Sequence, residues 1–483
     1  MPSSIELNVG HVPSPRRQRS ADDGDGTAPF RILVLGDFSG RPRAEREALG
    51  ERRALRIDID NFETVFARLA PRVAVSGLQD KQGQALRIEL DTMEDFSADA
   101  VLARLPAQAL ARAGAPAPAS PAPASASGAT ADDAAALMQR LLGGQLPAGA
   151  PAMAAGPASA KGKADEVVDR LVRQLVGDAS STPAPAPAPA AGSNDVAAAL
   201  LRHVLRDPSW RHLEGAWRAV DRFVRELDMA DGTVRLDLLD VRADELLADL
   251  GAAAGDPAHA AIGAASKGDG RGCDVLVSLE EYGPSLPELS LLGGLAAVAA
   301  AHGAVLLAGA APALAAVAAS EDAQVLASNE SRVWRALRAS ALASHVGLTF
   351  PRLIGRLPYG PRHDPVAAFP FDELADVSAA SLHDHLPWRS AALDAALLLA
   401  QGYVDGGVES RLQLPDLPAF IDRSGDEPRL QPVAEAWIGE RESSVLQAAG
   451  LIALQSDRRM PHARVSAWQS IAADGHALAG SWR

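Results

Sequence analysis

Two tracts of alternating Ala and Pro divide this 483-residue chain and set the strongest limit on how it can fold. They cover residues 115–126 and 183–189. Proline fixes one backbone torsion and removes a donor, so such tracts favour extended chain that cannot pack a core. We therefore predict a small module at residues 29–112, a linker at 113–194 and a larger module at 195–483.

Composition excludes several classes of function. A net charge of −15 argues against a nucleic-acid binder, which needs a basic face for phosphates, and against binding to anionic membranes. The single cysteine, Cys273, excludes an internal disulfide framework and a multi-thiolate metal site. Residues 1–28 are predicted to be a flexible N-terminus. They lack the apolar core of a signal peptide, so we do not expect secretion by a cleaved signal. We expect a cytoplasmic protein without nucleic acid or membrane insertion.

The small module has the pattern of an α+β unit. The apolar run Phe30–Leu35 predicts a buried strand, and Leu86–Leu90 alternates as another strand. The segment Phe62–Leu69 has its apolar residues on one helical face. Residues Gly36–Gly40 follow the first strand, but they match neither a Walker A loop nor the dinucleotide fingerprint, so we interpret them as a turn.

The larger module has the pattern of an α/β fold. Asp207-Pro208 precedes a helix that carries Trp210 and Trp217 on one face. Buried strands are predicted at 234–239 and 274–278. The apolar stretch 289–319 is predicted as helix, strand and helix, because glycines and a proline interrupt it. Further strands are predicted at 420–422, 431–438 and 451–454, with a helix at 440–449. The fold class is therefore α/β: a small α+β module and a larger module with a mixed sheet covered by helices.

A run from Phe350 to Gly360, FPRLIGRLPYG, is too irregular to follow from helix or strand periodicity. If its first eight residues are extended, Arg352 and Arg356 point to the same face. One interpretation is a pair of guanidinium forks for carboxylates on a neighbouring subunit. The other is two internal salt bridges that close the loop. The residues leave both open.

No catalytic signature, cofactor site or metal site is predicted. His383 and His385 form the best metal-like pair, but a metal needs three or four converging ligands and no third is nearby in sequence. Hydrogen-bonded histidines are the favoured interpretation. A metal-dependent enzyme that uses His383 and His385 is retained as the alternative from another class.

Two short amphipathic patterns interrupt the linker. They cover residues 132–142 and 165–176, and the second carries Leu171 and Leu175 on its apolar side. Transient helices in a linker and partner-binding helices are both consistent with this pattern.

Several colinear segments resemble the two subunits of the bacterial type VI secretion contractile sheath. FRILVLGDFSG at 30–40, RIDIDNFETVFARLAPR at 56–72 and LDTMEDFSADAVLARLP at 90–106 are similar to the small subunit, TssB/VipA. LRDPSWRHLEGAWRAV at 205–220 and the run that ends at Gly360 resemble the large subunit, TssC/VipB. The resemblance covers nearly everything outside the linker.

The resemblance implies a small subunit fused to a large one, in a family that builds contractile cylinders and is not enzymatic. It implies as partners sheath subunits, other type VI secretion components and an AAA+ disassembly ATPase, together with homo-oligomerisation. Residues expected to serve interactions are Trp210, Trp217, Leu171, Leu175, Arg352, Arg356 and Tyr359.

Family large subunits continue beyond the segment that matches Ala467–Ser470, so the larger module is expected to lack the usual C-terminal portion. We therefore hypothesise a structural component that joins, caps or stabilises the sheath. The alternatives are an ordinary polymerising subunit of a divergent system and an adaptor that never enters a sheath.

Overall fold

The structure of the protein is a computed structural model. The described residues are 29–79, 83–105, 137–142, 193–253, 260–268, 272–423, 428–457, 459–473 and 475–482. The predictions for residues 1–28, for the Ala-Pro tracts and for the segment 165–176 with Leu171 and Leu175 lie outside the described residues.

Helices are spread over both predicted modules. They are α1 (Phe62–Leu69), α2 (Ala98–Arg104), α3 (Ser193–Arg206), α4 (Pro208–Glu226), α5 (Ala243–Ala252), α6 (Ala261–Lys267), α7 (Leu286–Ala301), α8 (Pro312–Ala319), α9 (Ala323–Ala327), α10 (Asn329–Arg338), α11 (Ala392–Val404) and α12 (Glu440–Ala448). Residues 137–141 of the linker are also helical.

The strands are unevenly long. They are β1 (Phe30–Gly36), β2 (Leu55–Ile57), β3 (Arg72–Gln79), β4 (Ala85–Glu89), β5 (Val234–Asp240), β6 (Val275–Tyr282), β7 (Val305–Ala310), β8 (Val346–Phe350), β9 (Leu353–Ile354), β10 (Trp388–Arg389), β11 (Gln413–Leu414), β12 (Ile421–Asp422), β13 (Arg429–Leu430), β14 (Leu451–Ser456) and β15 (Ala463–Val465).

One nine-stranded sheet organises the molecule, in the order β11-β15-β14-β8-β7-β6-β1-β5-β2. The strands from β5 to β14 in this order pair in parallel, whereas β2, β15 and β11 pair antiparallel, so the predicted mixed sheet is confirmed. The strand β1 lies between β5 and β6, with Phe30 opposite Val234 and Ile32 opposite Val275. The segment before the linker therefore supplies an inner strand to the sheet of the segment after it.

The two faces of β1 belong to two different cores. Ile32 and Val34 face the core that contains α4 and α11, and Leu33 and Leu35 face the core of α5, α7 and α10. All seven residues of β1 are buried. Strands covered on both faces have continuous apolar sequences, which explains the unbroken run at 30–35.

Most predicted elements are confirmed, and one predicted strand is wrong. The stretch 289–319 forms α7, β7 and α8 as predicted. Residues 431–438 form no strand of their own, and Ala434 makes an isolated bridge to Leu353. The apolar residues of this stretch are buried, but they form no ladder with a neighbouring strand. The alternating pattern of the sequence therefore indicated burial and not strand pairing. Residues 350–357, whose extended conformation was the condition for Arg352 and Arg356 to share a face, form no single continuous strand, because β8 ends at Phe350 and β9 covers only Leu353–Ile354.

Candidate functional site

The candidate site is the seam, defined here as the contact between the N-terminal segment (residues 30–105) and the C-terminal segment (residues 193–482). Helix α4 supplies much of it. The carboxylate of Asp207 accepts hydrogen bonds from the backbone N–H groups of Ser209 and Trp210, and Pro208 occupies the first helical position. Both features favour a helix start at this point. The same Asp207 also accepts a 2.9 Å hydrogen bond from the Ser76 N–H on β3.

Trp217 lies at the centre of the seam. Its ring is fully buried and contacts the rings of Phe66 and Phe38, with centroids 4.5 and 5.6 Å away. Its indole Nε1 donates a 2.9 Å hydrogen bond to the carbonyl of Phe38. This residue therefore joins apolar packing to a directional bond across the seam.

Two further predicted residues meet the N-terminal segment at Phe96. The ring of Trp210 lies edge-on to the Phe96 ring at 5.4 Å. The hydroxyl of Tyr359 donates a 3.1 Å hydrogen bond to the Phe96 carbonyl. Trp210, Trp217 and Tyr359 thus all contact the other segment of the same chain.

Arg356 is held by carboxylates of its own chain. Its Nε donates to Glu214 at 2.8 Å, and its two terminal nitrogens donate to Glu373 at 2.7 and 3.1 Å. Its guanidinium also lies 4.5 Å from the centroid of the Tyr359 ring. Burial alone would lower the pKa of Arg356, but Glu214 and Glu373 outweigh it and hold the pKa well above its ordinary value.

Arg352 is paired in a similar way. Its Nε donates to Glu435 at 2.8 Å and lies 3.6 Å from Glu281. Burial would lower the pKa of Arg352, and the two carboxylates raise it overall. The structure therefore shows internal salt bridges for Arg352 and Arg356. Arg356 is buried, and a buried guanidinium requires such partners within the fold. With 34% of its side chain exposed, Arg352 could also meet a neighbouring subunit, and that contact stays a prediction.

The turn after β1 carries the chain from the sheet into the seam. The backbone N–H groups of Phe38 and Ser39 donate to Asp240 at 2.8 and 3.0 Å. Gly40 has a φ of +61°, and a Cβ at this position would lie 1.9 Å from the carbonyl oxygen of Arg72. Glycine is therefore required there by both conformation and space. The prediction of a turn at Gly36–Gly40 is confirmed.

A cleft of about 410 Å³ opens near the carboxyl end of β6. Arg211, Glu280, Glu281, Arg352 and Arg389 are among its lining residues. Burial, with repulsion from Glu435, raises the pKa of Glu281 to about 7, and Arg352 offsets part of this rise. Perturbed carboxyl groups occur in catalytic sites and also in structural ion networks. Arg352 and Glu435 lie around Glu281, and this arrangement favours a structural ion network.

Each histidine of the pair lies within hydrogen-bond distance of a backbone carbonyl oxygen. His383 Nε2 lies 2.8 Å from the Glu435 carbonyl oxygen, and His385 Nδ1 lies 2.9 Å from that of Ser381. Among the described residues, no group of three or more His, Cys, Asp or Glu side chains could hold a metal ion. The alternative of a metal-dependent enzyme at His383 and His385 therefore gains no ligand from the described part of the fold.

The carboxylates that neutralise the arginines were missed by sequence reasoning. Glu214 had a signal, because it lies between Leu213 and Trp217 on the buried side of α4 and a charge there needs a partner. Glu373 and Glu435 had none. They lie in irregular chain, 17 and 83 residues from Arg356 and Arg352, and only the tertiary fold brings them close.

No helix in the described ranges is long and apolar enough to cross a bilayer.

Each of the two segments matches the model of a known protein family. Residues 194–472 match the family VipB, described as "EvpB/VC_A0108, tail sheath N-terminal domain". Residues 23–111 match T6SS_VipA, described as "Type VI secretion system, VipA, VC_A0107 or Hcp2".

Two curated relatives come from Pseudomonas aeruginosa. The type VI secretion system sheath protein TssC1 is 25% identical over 296 residues, which cover 56% of this chain and 57% of TssC1. The sheath protein TssB1 is 37% identical over 76 residues, which cover 15% of this chain and 44% of TssB1. The chain thus spans about half the length of the curated relatives it matches.

The two seam tryptophans provide a matched test of the hydrogen bond to Phe38. Trp217→Phe leaves the buried Phe38 carbonyl without its indole donor, whereas Trp210 Nε1 has no acceptor among the described residues. An unsatisfied buried group costs about 1–3 kcal/mol. We expect Trp217→Phe to lower the free energy of unfolding by about 1 kcal/mol more than Trp210→Phe, measured by urea titration with circular dichroism. Equal losses in the two variants contradict the account.

Glu281 predicts a pH dependence of stability. Its pKa of about 7 in the folded chain exceeds the ordinary 4.5, so the folded state holds more protons between these values. The contribution of this carboxyl to stability therefore falls as pH rises from about 4.5 to 7. We expect Glu281→Gln to stabilise the chain on the order of 1 kcal/mol at pH 8 and much less at pH 5, measured by urea titration.

The exposed Glu51→Gln is the control for removal of one negative charge. A Glu281→Gln gain as large at pH 5 as at pH 8 contradicts the assigned ionisation.

Proposed function

Because the chain belongs to the VipB tail-sheath family, we propose that it is a non-catalytic structural component of a type VI secretion apparatus with both sheath subunits in one polypeptide. TssB1 and TssC1 are separate sheath proteins, and their counterparts here are residues 23–111 and 194–472. A covalent connection makes their pairing intramolecular and raises its effective concentration.

The observation that carries this proposal is the position of β1 between β5 and β6. An inner strand has backbone hydrogen bonds on both sides, and its removal exposes unpaired groups on two neighbours. The VipA-like segment is thus part of the folded unit that would enter a sheath. The two segments would move as a single building block.

The ion pairs of Arg352 and Arg356, which lie within the C-terminal segment, support a structural role. Glu214, Glu373 and Glu435 are occupied by Arg356 and Arg352, so they stabilise the loop after β8 instead of facing a substrate. Sheath subunits and other type VI secretion components are the proposed partners, with a cytoplasmic location. An AAA+ disassembly ATPase is a further proposed partner. Its sequence-based candidate sites are residues 132–142 and residues 165–176, the second of which carries Leu171 and Leu175.

Electron microscopy combined with co-purification tests this proposal. The purified chain is imaged alone and after mixing with authentic small and large sheath subunits. Long uniform cylinders from the chain alone identify an ordinary polymerising subunit. Incorporation into mixed cylinders, or binding at their ends, identifies a component that joins, caps or stabilises a sheath. A chain that neither polymerises nor enters or binds cylinders contradicts the proposal.

A pair of variants on α4 controls for non-specific association. Trp217→Ala removes the central seam contact and is expected to abolish incorporation, because the VipA-like segment loses its packing. Arg225→Ala removes an exposed ion pair with Asp221 on the same helix and is expected to leave incorporation unchanged.

A further inference from the structure

Apolar burial alone does not fix how β1 is placed between β5 and β6. Both faces of this strand are buried in apolar cores, with Ile32 and Val34 on one face and Leu33 and Leu35 on the other. A shift by two residues keeps every side chain on its own face. Such a shift would put Ile32 where Val34 lies and Leu33 where Leu35 lies, so it exchanges one apolar contact for another. Another feature must therefore select the register.

Arg31 is the one charged residue of β1, and it is 8% exposed. Its Nε donates a 2.8 Å hydrogen bond to Asp237, which is fully buried on β5. Its backbone N–H donates a 2.8 Å hydrogen bond to the carboxylate of Asp274, the residue just before β6. One arginine thus binds a carboxylate beside each of the two strands that flank β1.

The guanidinium of Arg31 lies in a socket at the end of α6. Its Nη1 donates to the carbonyl oxygens of Ser266 and Lys267 at 3.4 and 3.3 Å. Gly268 follows with a φ of +51°, and a Cβ at this position would overlap the guanidinium. The carbonyls at a helix C-terminus attract a cation. We call Asp237 and residues 266–268 the arginine socket.

The arginine socket belongs to the C-terminal segment, whereas Arg31 belongs to the N-terminal segment. A shift of β1 by two residues moves Arg31 by roughly 7 Å along the sheet. The guanidinium would leave the socket and enter the apolar surroundings of Leu33. A buried charge without its partners is strongly disfavoured, although a complete buried pair adds little net stability. The ion pair is therefore suited to select one register over its neighbours.

We propose that Arg31 and the arginine socket set the register of β1 and so determine how the two segments pair. Arg31 is a positioning residue in this role. It fixes the start of β1, while Asp240 binds the turn at the other end of the strand. This role lies within one chain and does not depend on the proposed place of the chain in a secretion apparatus.

Cysteine pairs at the start of β1 read the register in the full-length chain. Pro29 and Thr233 come one residue before the paired starts of β1 and β5, and both are half-buried. A disulfide in Pro29→Cys/Thr233→Cys reports the present register, and one in Pro29→Cys/Arg235→Cys reports a shift by two residues. The two pairs cannot both close in one register, because the second is then too far apart. The native Cys273 is buried and its pKa is raised to about 12, so it does not compete.

Replacing the ion pair by apolar groups is expected to free the register. Arg31→Leu with Asp237→Leu removes both charges together, an exchange that is often neutral for stability. After mild oxidation we expect the shifted disulfide to rise several-fold in this variant and the present one to fall. Arg389→Leu with Asp394→Leu is the control, because it removes another buried ion pair that lies within the C-terminal segment. It is expected to leave both yields unchanged.

Unchanged disulfide yields in the leucine pair assign the register to the turn that Asp240 binds, and they overturn the proposal. Loss of both disulfides also overturns it, because the proposal requires a second register and not a frayed strand. Arg31→Met with Asp237→Asn decides the question if circular dichroism shows that the leucine pair is unfolded, since the amide keeps the shape of the carboxylate. The shifted disulfide is again expected to rise several-fold, and yields equal to those of the unaltered socket overturn the proposal.

Discussion

The insertion of β1 between β5 and β6 is the interaction on which the rest of the structure depends. Its backbone pairs with both neighbours, and its alternating side chains enter the cores on both faces of the sheet. A buried Arg31 on β1 adds a 2.8 Å ion pair to Asp237 on β5. Without this strand, β5 and β6 would each lose a ladder and both cores would be opened to water.

The ion pairs of Arg356, which lie within the C-terminal segment, serve a different purpose from the apolar packing of the seam. Removing one partner of a buried pair typically costs about 3–5 kcal/mol, yet replacing a whole pair by apolar groups is often neutral. Arg356 with Glu214 and Glu373 therefore contributes little net stability, while it strongly disfavours any other path for the loop that carries it. The aromatic cluster around Trp217 supplies the favourable burial, and the ion pairs fix the geometry.

The sequence predicts the local elements well because periodicity and capping are local. The run at 30–35 predicts a buried strand, and the spacing of Trp210 and Trp217 predicts the buried face of α4. The partners of β1 could not be predicted, because β5 lies some two hundred residues away and an apolar run does not specify its neighbours. Helix α11 was missed because it is apolar on all sides and shows no amphipathic period.

The candidate site could be predicted only in part, because local patterns indicate its buried aromatic residues but not the distant residues that they contact. Trp210, Trp217 and Tyr359 were named as interaction residues, and the contacts they make across the seam depend on the position of Phe38 and Phe96. Whether Arg356 pairs within its own chain or with a neighbouring subunit depends on the position of Glu373. No local sequence pattern indicates that position.

Hydrogen–deuterium exchange of the intact chain tests the central claim most directly. If β1 is an inner strand, the amides of Ile32 to Leu35 are protected as strongly as those of β6, and both lose protection together as urea is added. Peptides that cover β1 and β6 report this by mass spectrometry. Fast exchange at β1 while β6 stays protected contradicts a sheet shared by the two segments.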